Sequence, residues 1–139
     1  MYVVIMGCGR VGARLARLLV NTGHEVTVLD VNPSAFSRLG SDFTGTTTVG
    51  NAIDMDVLEK AGIQRADAFA AVTQGDNRNI MASQIAKHIY KVPRVVTRIY
   101  DPIRTDTYRT LGLEAISPTV IGAKVFYNML TGEESRENV

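Results

Sequence analysis

The amino-acid sequence predicts an α/β fold: a doubly wound parallel sheet with helices on both faces. Three observations carry that expectation. Six short apolar runs alternate with segments of helical period almost from end to end. The runs are β-branched, and most are near-continuously apolar, as strands covered on both faces must be. Strand–helix alternation repeated this often builds right-handed βαβ units, which generate a parallel sheet.

Each element follows in turn. Tyr2–Met6 is the first strand and leads into a glycine-rich turn. Arg10–Thr22 is the first helix, closed by Gly23, and Glu25–Asp30 is the second strand. Asn32-Pro33 opens the helix Pro33–Leu39 with a capping side chain and a proline at the first helical position. Gly40 closes it, as a left-handed terminal residue does. Gly45–Val49 and Ala66–Val72 are strands on either side of the helix Met55–Ala61, which stops at Gly62. The long helix Asn77–Tyr90 precedes the strand Arg94–Tyr100. Asp101-Pro102 and Ser117-Pro118 repeat the capping device for helices Pro102–Leu111 and Pro118–Leu130, with Gly112 and the short strand Glu114–Ile116 between them. One domain therefore spans 1–130, and 131–139 is a polar tail expected to fray.

A chain of 139 residues holds one domain at the usual ~100–200 residues each, which excludes a two-domain enzyme. Fifteen Lys+Arg balance fourteen Asp+Glu with no basic run, so no nucleic-acid partner is expected. One cysteine forms no internal disulfide, consistent with a reducing cytoplasm. The longest apolar runs fall far short of the ~18 residues of a membrane helix, and no signal peptide is evident.

The sharpest motif is Gly7-Cys8-Gly9-Arg10-Val11-Gly12. A G-x-G-x-x-G is weak alone, but here it follows a strand and opens a helix, the context of a dinucleotide-type phosphate loop. Gly7 permits the tight turn, Gly9 lets a pyrophosphate approach the backbone, and Gly12 lets the helix pack closely. Free N–H groups at the helix start then hold phosphate. Cys8 is a small residue that fits the loop. Arg10 sits in the first helical turn, where the helix dipole disfavours a cation by ~0.3–1 kcal/mol unless an anion binds. Arg14 and Arg17 continue that face as a solvated stripe. Asp30 ends the second strand, where a carboxylate accepts both ribose hydroxyls. It would repel a 2′-phosphate, and Val31 and Asn32 supply no compensating cation, so NADP is disfavoured.

In such a sheet, of Rossmann type with order 3-2-1-4-5-6, the C-terminal strand ends share one edge where ligands bind. That edge collects Asn51 and Ala52 for the adenine side, and Thr73 and Gln74 for the distal end. Asp54, Asp76 and Asn77 serve as caps or ligand contacts. Arg98, a guanidinium within an apolar strand, needs an anionic partner: Asp101, Asp76 or the ligand.

Taken together, the glycine loop, Gly23-His24-Glu25-Val26, Gly50-Asn51-Ala52, Ala70-Ala71-Val72-Thr73 with Asp76-Asn77, Arg98-Ile99-Tyr100-Asp101, and Leu111-Gly112-Leu113 before Ser117-Pro118-Thr119 form an ordered set. The set closely resembles the N-terminal domain of Trk/Ktr potassium-uptake regulators, the RCK (regulator of potassium conductance) domains, over Met1 to Leu130. The resemblance implies a non-catalytic, cytoplasmic regulatory subunit, peripheral to the inner face of the cell membrane through a potassium-translocating partner. It implies that NAD(H) or ATP/ADP, with AMP also possible, binds in the Rossmann crevice and changes the shape of a subunit ring. Carried over by position, the nucleotide contacts are the backbone of Gly7–Val11, with Asp30, Asn51-Ala52, Thr73-Gln74 and Arg98. Members of the family usually continue into a second ligand-binding domain, whereas this sequence ends at Val139.

The last helix points to assembly by itself. Val120, Ile121, Ala123, Val125, Phe126, Met129 and Leu130 surround it, and one apolar stripe would suffice to dock on its own sheet. A homo-oligomer through the crossover helix Pro118–Leu130, as a dimer or higher ring, is therefore expected. The opposing readings are a small NAD-dependent oxidoreductase and a nucleotide sensor for a non-transport partner. A dehydrogenase needs a positioned acid or base. The only imidazoles, His24 and His88, fall away from the phosphate loop. No metal-ligand spacing, nucleophile elbow or triphosphate-hydrolase loop is present.

Overall fold

A computed structural model of the chain describes residues 1–136. The last three residues of the expected polar tail, Glu137, Asn138 and Val139, lie outside the described residues. The strand order is β3-β2-β1-β4-β5-β6, all parallel, as the sequence predicts. β1 (Tyr2–Met6) is buried at every residue and lies at the centre. It pairs with β2 (Glu25–Asp30), Val4 opposite Thr27, and with β4 (Ala68–Ala71), Val4 opposite Phe69. β3 (Thr46–Val49) extends the sheet beyond β2, while β5 (Arg94–Arg98) and β6 (Glu114–Ile116) extend it beyond β4.

Alternation along β1 divides the core into two layers. Val3 and Ile5 pack with Val26, Val28, Ala13, Ala16 and Leu39, beneath α1 (Arg10–Asn21) and a 3-10 turn at Pro33–Leu39. Tyr2, Val4 and Met6 pack on the other face with Leu58, Ile63, Phe69, Ala82 and Ala86, beneath α2 (Met55–Lys60) and α3 (Asp76–Gln84). Phe69 is fully buried, and its truncation to alanine would cost about 3–5 kcal/mol. Polar groups within these layers are paired. The Tyr2 hydroxyl donates to Thr27 Oγ1, and Thr97 Oγ1 donates to Ser83 Oγ, both at 2.7 Å.

Three differences from the sequence reading have local causes. Pro33–Leu39 is a 3-10 turn rather than an α-helix. Asn32 Oδ1 accepts from the Ser34 amide, and Gly40 ends the segment before a second α-turn forms. The long helix starts at Asp76, and after Gln84 it widens into a π turn at Ile85–Ile89, with Tyr90 N donating to Ile85 O. Strands β4 and β5 end earlier, because Val72 and Ile99 each keep one sheet bond before the chain turns into the site.

The chain closes with α4 (Pro102–Thr110) and α5 (Pro118–Thr131). No residue of α5 is buried, which excludes its docking in a core groove. Phe126, Met129 and Leu130 are 71%, 81% and 84% exposed. The helix end is held locally, with Asn128 Oδ1 accepting from Ser135 N at 2.7 Å.

Candidate functional site

Because all strands are parallel, their C-terminal ends converge, and the chain leaves β1 and β4 in opposite directions at the sheet's switch point. A cleft of about 720 Å³ opens there. It is lined by Gly7 to Val11, Asp30, Asn51, Ala52, Thr73, Gln74 and Arg98, which are the sequence-predicted residues other than Gly12. Arg38 and Arg78 complete its charged lining.

The glycine loop divides its tasks by position. Gly7 adopts φ +108°, a left-handed conformation that side chains resist, and its amide donates to Leu29 O at 2.7 Å. A Cβ at Gly12 would lie 1.8 Å from the Gly7 carbonyl oxygen, so α1 packs onto the loop itself. A Cβ at Gly9 would meet nothing within 4 Å, which leaves that backbone open to the cleft. Gly9 is also the N-cap of α1, and no side chain caps the helix. Its free N–H groups and positive dipole end therefore face the cleft unanswered.

Asp30 closes the loop against β2. Its Oδ2 accepts from Cys8 N and its Oδ1 from Asn32 N, both at 2.8 Å. A carboxylate has about four acceptor positions, so two remain unused. Capping the loop therefore leaves the carboxylate able to accept from an outside donor. Burial pushes the Cys8 thiol up, the Asp30 carboxylate adds to the rise, and Arg38 opposes it. The buried sulfur is therefore a neutral thiol, a packing group rather than a nucleophile. Asn51 Oδ1 accepts from Ile53 N at 3.2 Å beside buried Ala52, so this part of the lining is a backbone turn.

On the opposite wall, fully buried Asn79 fastens the Thr73 turn to the sheet. Its Nδ2 donates to Thr73 O at 2.9 Å and to Arg98 O at 3.0 Å. Its Oδ1 accepts from Thr73 N at 3.1 Å and Thr73 Oγ1 at 2.5 Å. All four hydrogen-bonding positions of the amide are used. Arg98 forms no ion pair with Asp76 or Asp101. Asp76 accepts instead from Tyr100 N and Asp101 N, and Asp101 caps α4 through Ile103 N. Asp54 caps α2 through Asp56 N, and Asn77 accepts from Arg104 Nη1.

Across this cleft four guanidinium groups face one carboxylate, an arrangement suited to phosphate. The TrkA-N domain model matches residues 3–118. The chain belongs to the TrkA-N domain family. It is 49% identical over 117 residues to a Streptomyces coelicolor protein named Trk system potassium uptake protein TrkA, covering 84% of this chain and 52% of that one. The TrkA-N domain spans about half the length of curated relatives it matches. Among solved structures, the GsuK channel bound to NAD is similar at TM-score 0.79 and 25% identity, covering 93% of this chain and 23% of that chain. GsuK bound to ADP is similar at TM-score 0.79 and 25% identity, with coverage of 96% and 34%.

Two arginines of this TrkA-N domain escaped the sequence reading. Arg38 reaches back from the 3-10 turn, with Nη1 3.5 Å from Cys8 O. It brings to the Asp30 side of the cleft the cation that Val31 and Asn32 do not supply. Arg78 stands in the first turn of α3, a helix that begins at Gly75 without a side-chain cap. Only the parallel of an uncapped helix start bearing an arginine, as at Gly9-Arg10, could have signalled it. Of the face once read as a solvated stripe, Arg17 is structural: it donates to Leu39 O and pairs with Asp42 at 3.0 Å.

Proposed function

We propose that this TrkA-N domain is a nucleotide-sensing regulatory module for a potassium-translocating membrane protein. Its ligand is an adenine nucleotide, NAD(H) or ATP/ADP with AMP also a candidate. The observation that carries the reading is the cleft at the switch point, where the open Gly9 backbone, the uncapped α1 and the half-used Asp30 carboxylate converge. The names of the relatives and the NAD- and ADP-bound GsuK structures support the same direction.

In this reading the phosphates lie on the backbone of Gly7 to Val11, with Gly12 holding helix to loop. Asp30 takes the ribose hydroxyls, Asn51 and Ala52 border the adenine, and Thr73, Gln74 and Arg98 meet the distal end. Discrimination against NADP rests on Asp30 alone, since Arg38 stands nearby. A non-catalytic role is supported by the lining: no imidazole reaches the cleft. His24 Nδ1 lies 3.0 Å from the N-terminal amine, and His88 is exposed in the π turn. The exposed apolar side of α5 supports assembly with further copies of the chain, the route by which ligand state reaches the membrane partner. A ligand shifts such an arrangement only through its differential affinity for two subunit arrangements. The working location is the cytoplasm, at the inner membrane face.

Calorimetric titration with NAD(H), NADP(H), ATP, ADP and AMP tests the reading. Binding of at least one unphosphorylated-ribose nucleotide is expected, weakened about tenfold or more in Asp30→Ala. If no adenine nucleotide binds, the reading fails, and if NADP binds tightest, the role of Asp30 fails.

A further inference from the structure

α1 carries three arginines and no acid, although the whole chain balances its charges to +1. On its outer side a groove of about 590 Å³ runs between the helix and the 3-10 turn at Pro33–Leu39. Ala13, Arg14, Arg17, Leu18 and Asn21 line this groove and take no part in the nucleotide cleft, whereas Arg10 and Arg38 border both. We propose that the groove docks an extended acidic peptide segment of a partner protein, with carboxylates at two alternate positions and an apolar side chain at the next.

Charge selects the occupant. Arg10 and Arg14 have no hydrogen bond or ion pair among the described residues, and Arg38 makes only its 3.5 Å contact to Cys8 O. Asp30 is committed to the amides of Cys8 and Asn32, and Asp42 answers Arg17. The guanidinium groups of Arg10, Arg14 and Arg38 are thus left for acids from outside the chain. Leu18 stands one turn beyond Arg14 and is 56% exposed, an apolar anchor point that a free anion would leave unused.

Spacing selects its form. Arg10, Arg14 and Leu18 follow one another at i, i+4 and i+8, about 6 Å apart along the helix axis at 1.5 Å per residue. Alternate side chains of an extended peptide point to one side about 6.7 Å apart. Such a strand laid along α1 therefore meets acid, acid and apolar positions in turn. Arg17 ties the two sides of the groove together through Leu39 O and Asp42. A recess between two elements receives a chain, whereas the flat headgroup layer of a membrane calls for protruding charges. Because Arg10 and Arg38 border both concavities, nucleotide and peptide compete for the same cations; this second step rests on the nucleotide reading above.

Nuclear magnetic resonance titration of the isotope-labelled full chain tests the proposal. The probe is an end-blocked heptapeptide with glutamate at its third and fifth positions, leucine at both ends and serine elsewhere, which presents the pattern in either chain direction. Saturable shifts should fall on the amides of α1 and the 3-10 turn, weaken as salt rises, and vanish when glutamine replaces glutamate. Arg14→Gln and Leu18→Ala keep good helix formers at exposed positions, and each should weaken the peptide about threefold or more. Neither lines the cleft, so nucleotide affinity should be unchanged in both. Saturating ADP should weaken the peptide as well. If no shift appears, if the glutamine peptide binds alike, or if either variant binds as wild type does, the docking groove is overturned. Phosphatidylserine vesicles that bind the chain through Arg14 while the peptide does not would overturn it in favour of a membrane. If ADP binds without weakening the peptide, the competition alone falls. If no adenine nucleotide binds, the nucleotide reading falls and the peptide titration still decides the groove.

Discussion

Helices α2, α4 and α5 begin differently from helices α1 and α3. The first group is finished by its own sequence, with Asp54, Asp101 and Ser117 each accepting a backbone N–H of the first turn. The second group starts at Gly9 and Gly75 with no side-chain cap, and carries Arg10 and Arg78 in that turn. Asp76, the one acid at the start of α3, bonds to the amides of Tyr100 and Asp101 across the sheet edge. Both unfinished helices open onto the cleft. The lesson is that this chain completes a helix start where stability alone is at stake, and leaves it cationic where an external anion is to complete it.

Substitutions can break that comparison, starting with the largest effect. Gly12→Ala should destabilise the fold by at least about 3 kcal/mol in urea unfolding, because no flexible atom can yield to a Cβ against the Gly7 carbonyl. Gly9→Ala, with open space at its Cβ, should keep the stability and lose nucleotide affinity in titration. If both behave alike, the division of tasks in the loop is wrong. Asp101→Ala should cost about 1 kcal/mol by the loss of a cap, with nucleotide affinity unchanged. Arg10→Ala should do the reverse, raising the unliganded stability by ~0.3–1 kcal/mol and weakening the nucleotide. The opposite signs of those two variants are the sharpest form of the comparison.

The smallest effect concerns pH. The hydrogen bond from Arg17 holds the Asp42 carboxyl below its ordinary value, and Arg65 does the same for Glu25. A depressed pKa in the folded state contributes stability at neutral pH that is lost as pH falls below the ordinary carboxylate range, about pH 4. Both pairs are exposed, so the loss is small. Thermal unfolding followed from pH 7 to about pH 3 should show a slightly shallower decline of Tm in Asp42→Asn.

Strand order, both layers and the phosphate loop were legible because they rest on local signals: apolar runs, proline-backed caps and the glycine spacing after β1. Asp30, Asn51, Thr73 and Arg98 were reachable because a parallel sheet brings the ends of its strands to one edge. Arg38 and Arg78 were not, since each reaches the cleft by folding back from a helical turn, and nothing in a linear pattern shows which way a long side chain returns. Asn79 was hidden for a related reason. A polar residue within a helix reads as solvent-facing until the partners on β5 and the Thr73 turn are known. The linear sequence leaves the anionic partner of Arg98 open between acid and ligand, and the geometry commits both acids to backbone amides.

Asn79 has a thermodynamic consequence. Its four bonds make the Thr73 turn part of the sheet, so that wall of the cleft exists before any ligand arrives. Little segmental freedom remains to be frozen on that side, and affinity suffers no ordering penalty there. The other wall is held by charged side chains instead, through Arg17 to Leu39 O and Asp42 and through Asp30 to the Cys8 amide. A ligand on the Thr73 side would therefore meet a surface already in place.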